Sequence, residues 1–446
     1  MRETHTLQGS LFDAYTRHKF GDDLKKLSDL LDRHPQWPAM IAEDFQFKGL
    51  KATGRKGLSV ESVFRCMLLK QITGDSYEKL AFHLSDSPSY RSFARLASQT
   101  NPSKSALSHS IRCIQPQTLE RVFKAINHAC FEQGLLDIHR LRIDSTVVKS
   151  NIAPPLDSKL LDDGIRVLSR LMAKSRDVTG VKLRLTDYRK ASKSLAARIF
   201  YGKKTQKQSL YGELIPLARR VVGQTHRAIE QVKHGCANPE VSKAWIDEMT
   251  HYRQLLERVI DQAQRRVVQG EKVPATEKIY SLFEPHTDII IKGPREIEYG
   301  HKINLSTDAT GLITSLLIEE GNPCDTERFI AVIEAHQSTY GCAPKTTIAD
   351  GGYASRKNIE QGKSLGVKRV GFHKKKGITL SDMGMKAKTL KVLRDFRAGI
   401  EGNISELKRA FGAGKATWKR KEGFLSFVWA SAISYNLTHL VRIESG

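Results

Sequence analysis

The sequence predicts an α/β protein: a mixed sheet with helices on both faces, preceded by an all-helical region and interrupted by a long helical insertion after its first strand. Three observations carry this. The run Leu-Arg-Ile-Asp-Ser-Thr-Val-Val at 141–148 is apolar and β-branched, as a buried strand requires, and Asn151 to Pro155 breaks it. From there to about residue 269 the apolar spacing is helical, and after Pro274 it switches to short strands alternating with helices. Residues 20–135, in contrast, show only helical spacing and capping signals.

Within that first region Ser59 caps a helix over 59–70 that presents Val63, Met67 and Leu68 on one side. Gly74-Asp75 ends it, and a second helix carries Tyr77, Leu80, Ala81 and Leu84. A further pair, 103–114 and 117–130, is broken at Pro116, takes Thr118 as a cap signal, and is rich in Lys, Arg, Ser and His on its polar side. Such pairs can lay one helix in a major groove, and others only pack; residues 1–135 are expected to contact DNA.

The strand at 141–148 is expected to end near Asp144 and Ser145. In the insertion, 157–285, Leu161, Ile165, Leu168 and Met172 form one helical stripe and Val241, Trp245, Met249, Tyr252, Leu256 and Val259 another. These are core or partner-helix surfaces, and the basic run Lys203 to Lys207 between them reads as a solvated connector. Beyond the insertion, a strand at 301–307 turns through Asp308-Ala309-Thr310-Gly311 into a strand at 312–318. A helix at 326–337, a strand at 346–349, a helix at 355–365, a strand at 368–372 and a helix bearing Glu401 follow. With the insertion set aside, this is the element order of a ribonuclease-H-like domain, a mixed five-stranded sheet. The expected domains are therefore a helical, DNA-binding 1–135, a catalytic 136–156 with 286–446, and a helical insertion 157–285.

The 446 residues carry 72 Lys and Arg against 48 Asp and Glu, a formal charge of +24 spread along the chain, which points to nucleic acid as partner. No apolar stretch approaches the ~20 residues of a membrane span, and Met-Arg-Glu-Thr-His does not open a signal peptide, so the expected location is the cytoplasm. The six cysteines make no CxxC pair and read as reduced, mostly packed thiols.

The chemistry concentrates on the last predicted helix. At about 100° per residue, Arg397, Glu401 and Lys408 fall within roughly 40° of one another, beside an apolar arc of Phe396, Ile400, Ile404, Leu407 and Phe411. Alone, Arg397 and Glu401 would be an i,i+4 surface pair worth ~0.3 to 0.5 kcal/mol. Two other acids change that reading: Asp144, and Asp350 in Thr-Thr-Ile-Ala-Asp-Gly-Gly-Tyr, each following an apolar run. Carboxylates from two strand ends and a helix suit hard divalent ions, Mg²⁺ or Mn²⁺, because no His/Cys set accompanies them. Two such ions about 4 Å apart would activate a water or a 3′-hydroxyl for in-line phosphoryl displacement. Glu296 and Glu298 are set aside because they precede their strand. His301 and Lys302 either line the groove or sit on a strand edge, and Lys374-Lys375-Lys376 is either a phosphate contact or a solvated charge run. Tyr353, with acids around it and no matching Arg/His set, reads as a packing or phosphate-contact residue and not as a nucleophile.

Asp144, the Asp350-Gly-Gly-Tyr353 turn and the Arg397, Glu401, Lys408 run resemble the DDE transposases of bacterial insertion sequences, in the branch with the signature YxxRxxxExxxxxxK. The resemblance covers about 140–156 and 286–442. It implies that Asp144, Asp350 and Glu401 are the catalytic, metal-binding triad, and that Arg397 and Lys408 contact the transposon end. The signature tyrosine is Arg394 here, a stronger phosphate ligand, and Tyr353 joins the expected DNA contacts. The implied activity is metal-dependent cleavage and strand transfer at the element's own ends, by a dimer or larger assembly on DNA. The rivals are a DNA-binding regulator that has lost catalysis and a nuclease of the same fold that cuts without joining.

Overall fold

The computed structural model describes residues 15, 18–47, 57–97, 99–292, 296–373 and 377–445, so the Lys374-Lys375-Lys376 run lies outside the described residues. The chain divides into two compact units, 1–150 with 301–446, and 151–300.

In the first unit, helix Val60–Thr73 begins where expected, because the Ser59 hydroxyl accepts from the Ser62 N–H at 3.0 Å, and Gly74 closes it at φ +69°. Val63, Phe64, Met67 and Leu68 are buried, and so is Arg65, whose guanidinium is held by Asp32 at 2.6 Å and Glu61 at 2.8 Å. Helix Tyr77–Asp86 follows, capped by Ser76. The next pair is separated where expected, Lys104–Ile111 from Pro116–Glu132, with Pro116 as the first residue of the second helix, where a fixed φ and a missing N–H cost nothing. Thr118 is consequently not a cap; its hydroxyl donates to Asp44 at 3.0 Å.

These helices share one apolar core with the last helix, Arg420–Ser445, where Trp429 meets Phe123 and Asn436 bonds Asn127. That last helix has no counterpart in the sequence reading. It buries Phe424, Val428, Ala432, Ile433, Tyr435 and Leu440, so its apolar residues surround the axis and leave no stripe to detect. No helix among the described residues is long and apolar enough to cross a membrane.

The strands are β1 (Arg140–Lys149), β2 (Asp288–Lys292), β3 (Glu296–Thr307), β4 (Ile313–Ile318), β5 (Thr346–Ala349) and β6 (Arg369–Phe372). In the first unit the order across the sheet is β4-β3-β1-β5-β6, with β3 and β4 antiparallel and β1, β5 and β6 parallel. The β3–β4 turn is built as expected, with Asp308 Oδ1 accepting from the N–H groups of Gly311 and Leu312. Helices Asp325–Tyr340 and Arg356–Ser364 connect the parallel strands, and helix Ala387–Ala410 follows β6.

In the second unit, helices Asp157–Ala173, Arg189–Tyr201, Lys204–Gly235 and Pro239–Ala263 pack around Leu161, Ile165, Leu168, Leu214, Val221, Trp245, Met249 and Leu256. The run 203–207 is not a loop, since Lys203 caps and Lys204 starts a 32-residue helix. Its first turns project beyond the core, with burial starting at Leu210, which is why they are polar on all sides. β2 is a sixth strand that the five-stranded expectation lacks; it pairs antiparallel with Glu296–Gly300 of β3. Glu296 and Glu298 therefore stand on their strand and not before it.

Candidate active site

The parallel pairing of β1 with β5 runs to Ile143↔Ala349. In-register parallel strands place their next residues side by side, and those residues are Asp144 and Asp350. Asp144 lies inside its strand, not at its end, because β1 runs on to Lys149. Asp350 leaves β5 and opens the tight turn Gly351–Tyr353.

Helix Ala387–Ala410 brings the third acid. It buries Leu393, Ile400 and Leu407, which turns the Arg397 edge toward the end of β1 and β5. Arg397 Nη2 lies 2.9 Å from Asp144 Oδ2 and 3.3 Å from Asp350 Oδ1, and Nη1 lies 3.0 Å from Glu401 Oε1. One buried guanidinium thus touches all three acids, two of them separated by more than two hundred residues of sequence. The i,i+4 pair exists, but as one arm of a larger cluster.

Charge in this cluster is unbalanced, with one cation among three carboxylates. Asp144 is the most enclosed acid, its side chain 17% exposed against 45% for Asp350 and 66% for Glu401. Burial pushes its carboxyl up to about 6, against the pull of the Ser145 N–H and Arg397, with Asp350 and Asp325 adding to the rise.

Arg142 and Gly399 hold the helix to the sheet, and neither is among the site residues expected from the sequence. Arg142, two residues before Asp144 on β1, donates from Nε to Thr307 (2.8 Å), from Nη1 to the Phe396 carbonyl (2.9 Å) and from Nη2 to Asn403 Oδ1 (2.7 Å). Asn403 in turn donates to the Tyr435 hydroxyl at 2.8 Å. Gly399 makes room for this strap: a Cβ there would stand 2.7 Å from Arg142 Cζ. The available signals were a charged residue inside an apolar strand and a glycine inside a helix, which costs ~1 kcal/mol relative to alanine unless packing requires it. Gly399→Ala is accordingly expected to destabilise by about 1–3 kcal/mol, although alanine favours helix elsewhere. Chemical denaturation measures this; a more stable variant would refute the strap.

Of the other expected site residues, Tyr353 is fully buried and donates its hydroxyl to Asn304, which bonds Glu319 at 2.8 Å. It has no surface to offer a phosphate, so the DNA contact expected of it gives way to packing. Lys302 and His301 are also enclosed: Lys302 pairs with Asp325 at 2.6 Å, and His301 Nδ1 lies 3.1 Å from the Glu319 carbonyl. Their burial rules out an exposed strand-edge role. Arg394, half-buried, lines a cavity of about 210 Å³ with Phe372, Ile378, Leu380, Met383, Ala387 and Leu390. Lys408 is half-buried further along the helix.

The donor set is oxygen-only, as a hard divalent ion requires. With Arg397 between the acids, no three Asp, Glu, His or Cys side chains among the described residues are gathered closely enough to hold an ion.

Two family models match the chain. Residues 12–112 match a transposase domain (DUF772), and residues 290–437 match the transposase DDE domain. No curated protein and no solved structure matches significantly. The second match contains Asp350, Arg397 and Glu401, whereas Asp144 lies upstream, before the helical unit that interrupts the sheet. The two matches, in order and together spanning more than half of the 446 residues, place the chain in a family: it belongs to the DDE transposases of insertion sequences.

Proposed function

We propose that the chain binds the ends of its own insertion sequence and there cleaves and transfers DNA strands, with Asp144, Asp350 and Glu401 as the acids of the site. The observation that carries this reading is the convergence of all three on Arg397. The sheet order supports reading the core as ribonuclease-H-like, with residues 136–156 and 286–446 as the catalytic domain, 1–135 as a DNA-binding domain and 157–285 as an insertion.

The family uses divalent metal ions. Here Asp144, Asp350 and Glu401 would hold Mg²⁺ or Mn²⁺, two ions in this reading, which would activate the attacking oxygen and stabilise the leaving one. For the acids to close on an ion, Arg397 must leave its place between them, and its planar fork is then available to a DNA phosphate. Lys408 and Arg394 supply further phosphate contacts on the same helix, the latter in place of the signature tyrosine. Both element ends must be held at once, so the active form is a dimer or larger assembly, working in the cytoplasm.

A linear DNA bearing the inverted repeats that flank the gene, incubated with the chain and Mg²⁺, should yield cuts at the repeat ends and products joined to target DNA. Cutting without joining would favour the nuclease, and binding without cutting the regulator. Affinity should also fall steeply between 50 and 200 mM salt, by about 10³-fold or more for six or more phosphate contacts. A flat dependence would remove the argument from charge.

A further inference from the structure

Helix Arg189–Tyr201 in the second unit carries four cations and no acid. Ser192, Leu195, Ala196 and Ile199 are buried, and the opposite face exposes Lys190, Lys193, Ser194, Ala197, Arg198 and Tyr201, at offsets of 3, 4, 7, 8 and 11 residues. That is a complete outward stripe. Arg189 is neutralised by Asp187, at 2.7 Å, but no ion pair engages Lys190, Lys193 or Arg198 among the described residues. The small Ser194 and Ala197 between the cations let a polyanion approach the helix closely.

The end of this helix is unusual in a second way. Phe200 and Tyr201 are 57% and 85% exposed, and their rings meet edge to face at 4.9 Å. A single exposed aromatic needs no explanation, but two adjacent ones bracketed by Arg198, Lys203 and Lys204 do. Aromatic faces among cations are the ingredients of binding to unpaired bases, where stacking tolerates any sequence and the cations hold the backbone.

We infer that this face is a second DNA-binding surface, with Lys190, Lys193 and Arg198 on duplex phosphates and Phe200 and Tyr201 stacked on unpaired bases beside that duplex. Charge complementarity selects DNA over a second copy of the chain, since a chain of net charge +24 offers this stripe mainly repulsion. The inference rests on DNA being the substrate but is independent of the acid site.

The test uses the full chain in EDTA, which removes catalysis from the measurement. Fluorescence anisotropy compares a blunt duplex with the same duplex carrying a short single-stranded tail. The triple variant Lys190→Glu, Lys193→Glu, Arg198→Glu is expected to bind both at least tenfold more weakly and to lower the salt slope by two to three. Phe200→Ser with Tyr201→Ser should leave the blunt duplex within twofold and weaken the tailed one about tenfold. Unchanged binding in the triple variant overturns the proposal, and an unchanged preference for the tail in the double variant overturns its stacking half. A double variant that alters self-association in sedimentation while binding both DNAs normally assigns the face to a second copy, which also overturns it. Failure of the chain to cleave element ends in a separate assay with Mg²⁺, with these binding differences intact, would count against the acid site alone.

Discussion

Glu401→Gln is expected to reduce strand cleavage by two to four orders of magnitude while end binding persists. The substitution keeps the shape and the acceptor facing Arg397 Nη1, now 3.0 Å from Oε1, but removes one of three negative charges. A loss of that size is about 3–5 kcal/mol of transition-state stabilisation, far above the few tenths that an exposed i,i+4 pair contributes. Lys408→Ala is the contrast: it should weaken the hold on terminal phosphates, with a defect that grows with salt. Cleavage and end binding measured on both variants separate chemistry from grip, and Glu401→Gln cleaving like the parent would remove Glu401 from the site.

Arg397→Ala should act first on the metal-free protein. It removes the cation that bridges Asp144 and Asp350 and leaves the enclosed Asp144 beside two further acids. Breaking a buried pair one-sidedly costs ~3–5 kcal/mol; because Asp350 and Glu401 are open to solvent, about 2–3 kcal/mol is the better figure here. The sign should reverse with divalent ion: without a competing guanidinium, Mg²⁺ or Mn²⁺ should bind the variant more tightly and raise its melting temperature more than the parent's. Thermal unfolding with and without Mg²⁺ checks this. Equal stabilisation of both proteins would mean that ion and arginine do not share a place.

Much of this site was legible in the sequence because its parts sit where local pattern is strong. Asp350 ends the apolar run of β5, and the stripe of Arg397 and Glu401 follows from helical geometry alone. Two things were hidden. The role of Arg397 as a buried hub depends on which residues β1 and β5 set side by side, a tertiary fact that no local spacing encodes. The burial of Tyr353 was hidden for the same reason: the turn after Asp350 folds inward, against Asn304 on β3 and Phe329 on the helix Asp325–Tyr340. In the fold, amphipathic helices such as Asp157–Ala173 were plain, whereas Arg420–Ser445, apolar around its axis, and the first turns of Lys204–Gly235, polar around theirs, carried no periodic signal. β2 is five residues long, too short a run for its spacing to tell strand from helix.

Asp144, Asp350 and Glu401 are expected to hold one divalent-ion site, and the proposed chemistry depends on it. Replacing Mg²⁺ with Fe²⁺ in the presence of ascorbate and peroxide generates radicals at the bound ion that cut the nearest backbone, and the fragments can be mapped by mass spectrometry. Cuts are expected beside residues 144, 350 and 401, suppressed by excess Mg²⁺ and weakened in Glu401→Gln. Cuts that cluster elsewhere, or that spare any one of the three positions, would contradict it.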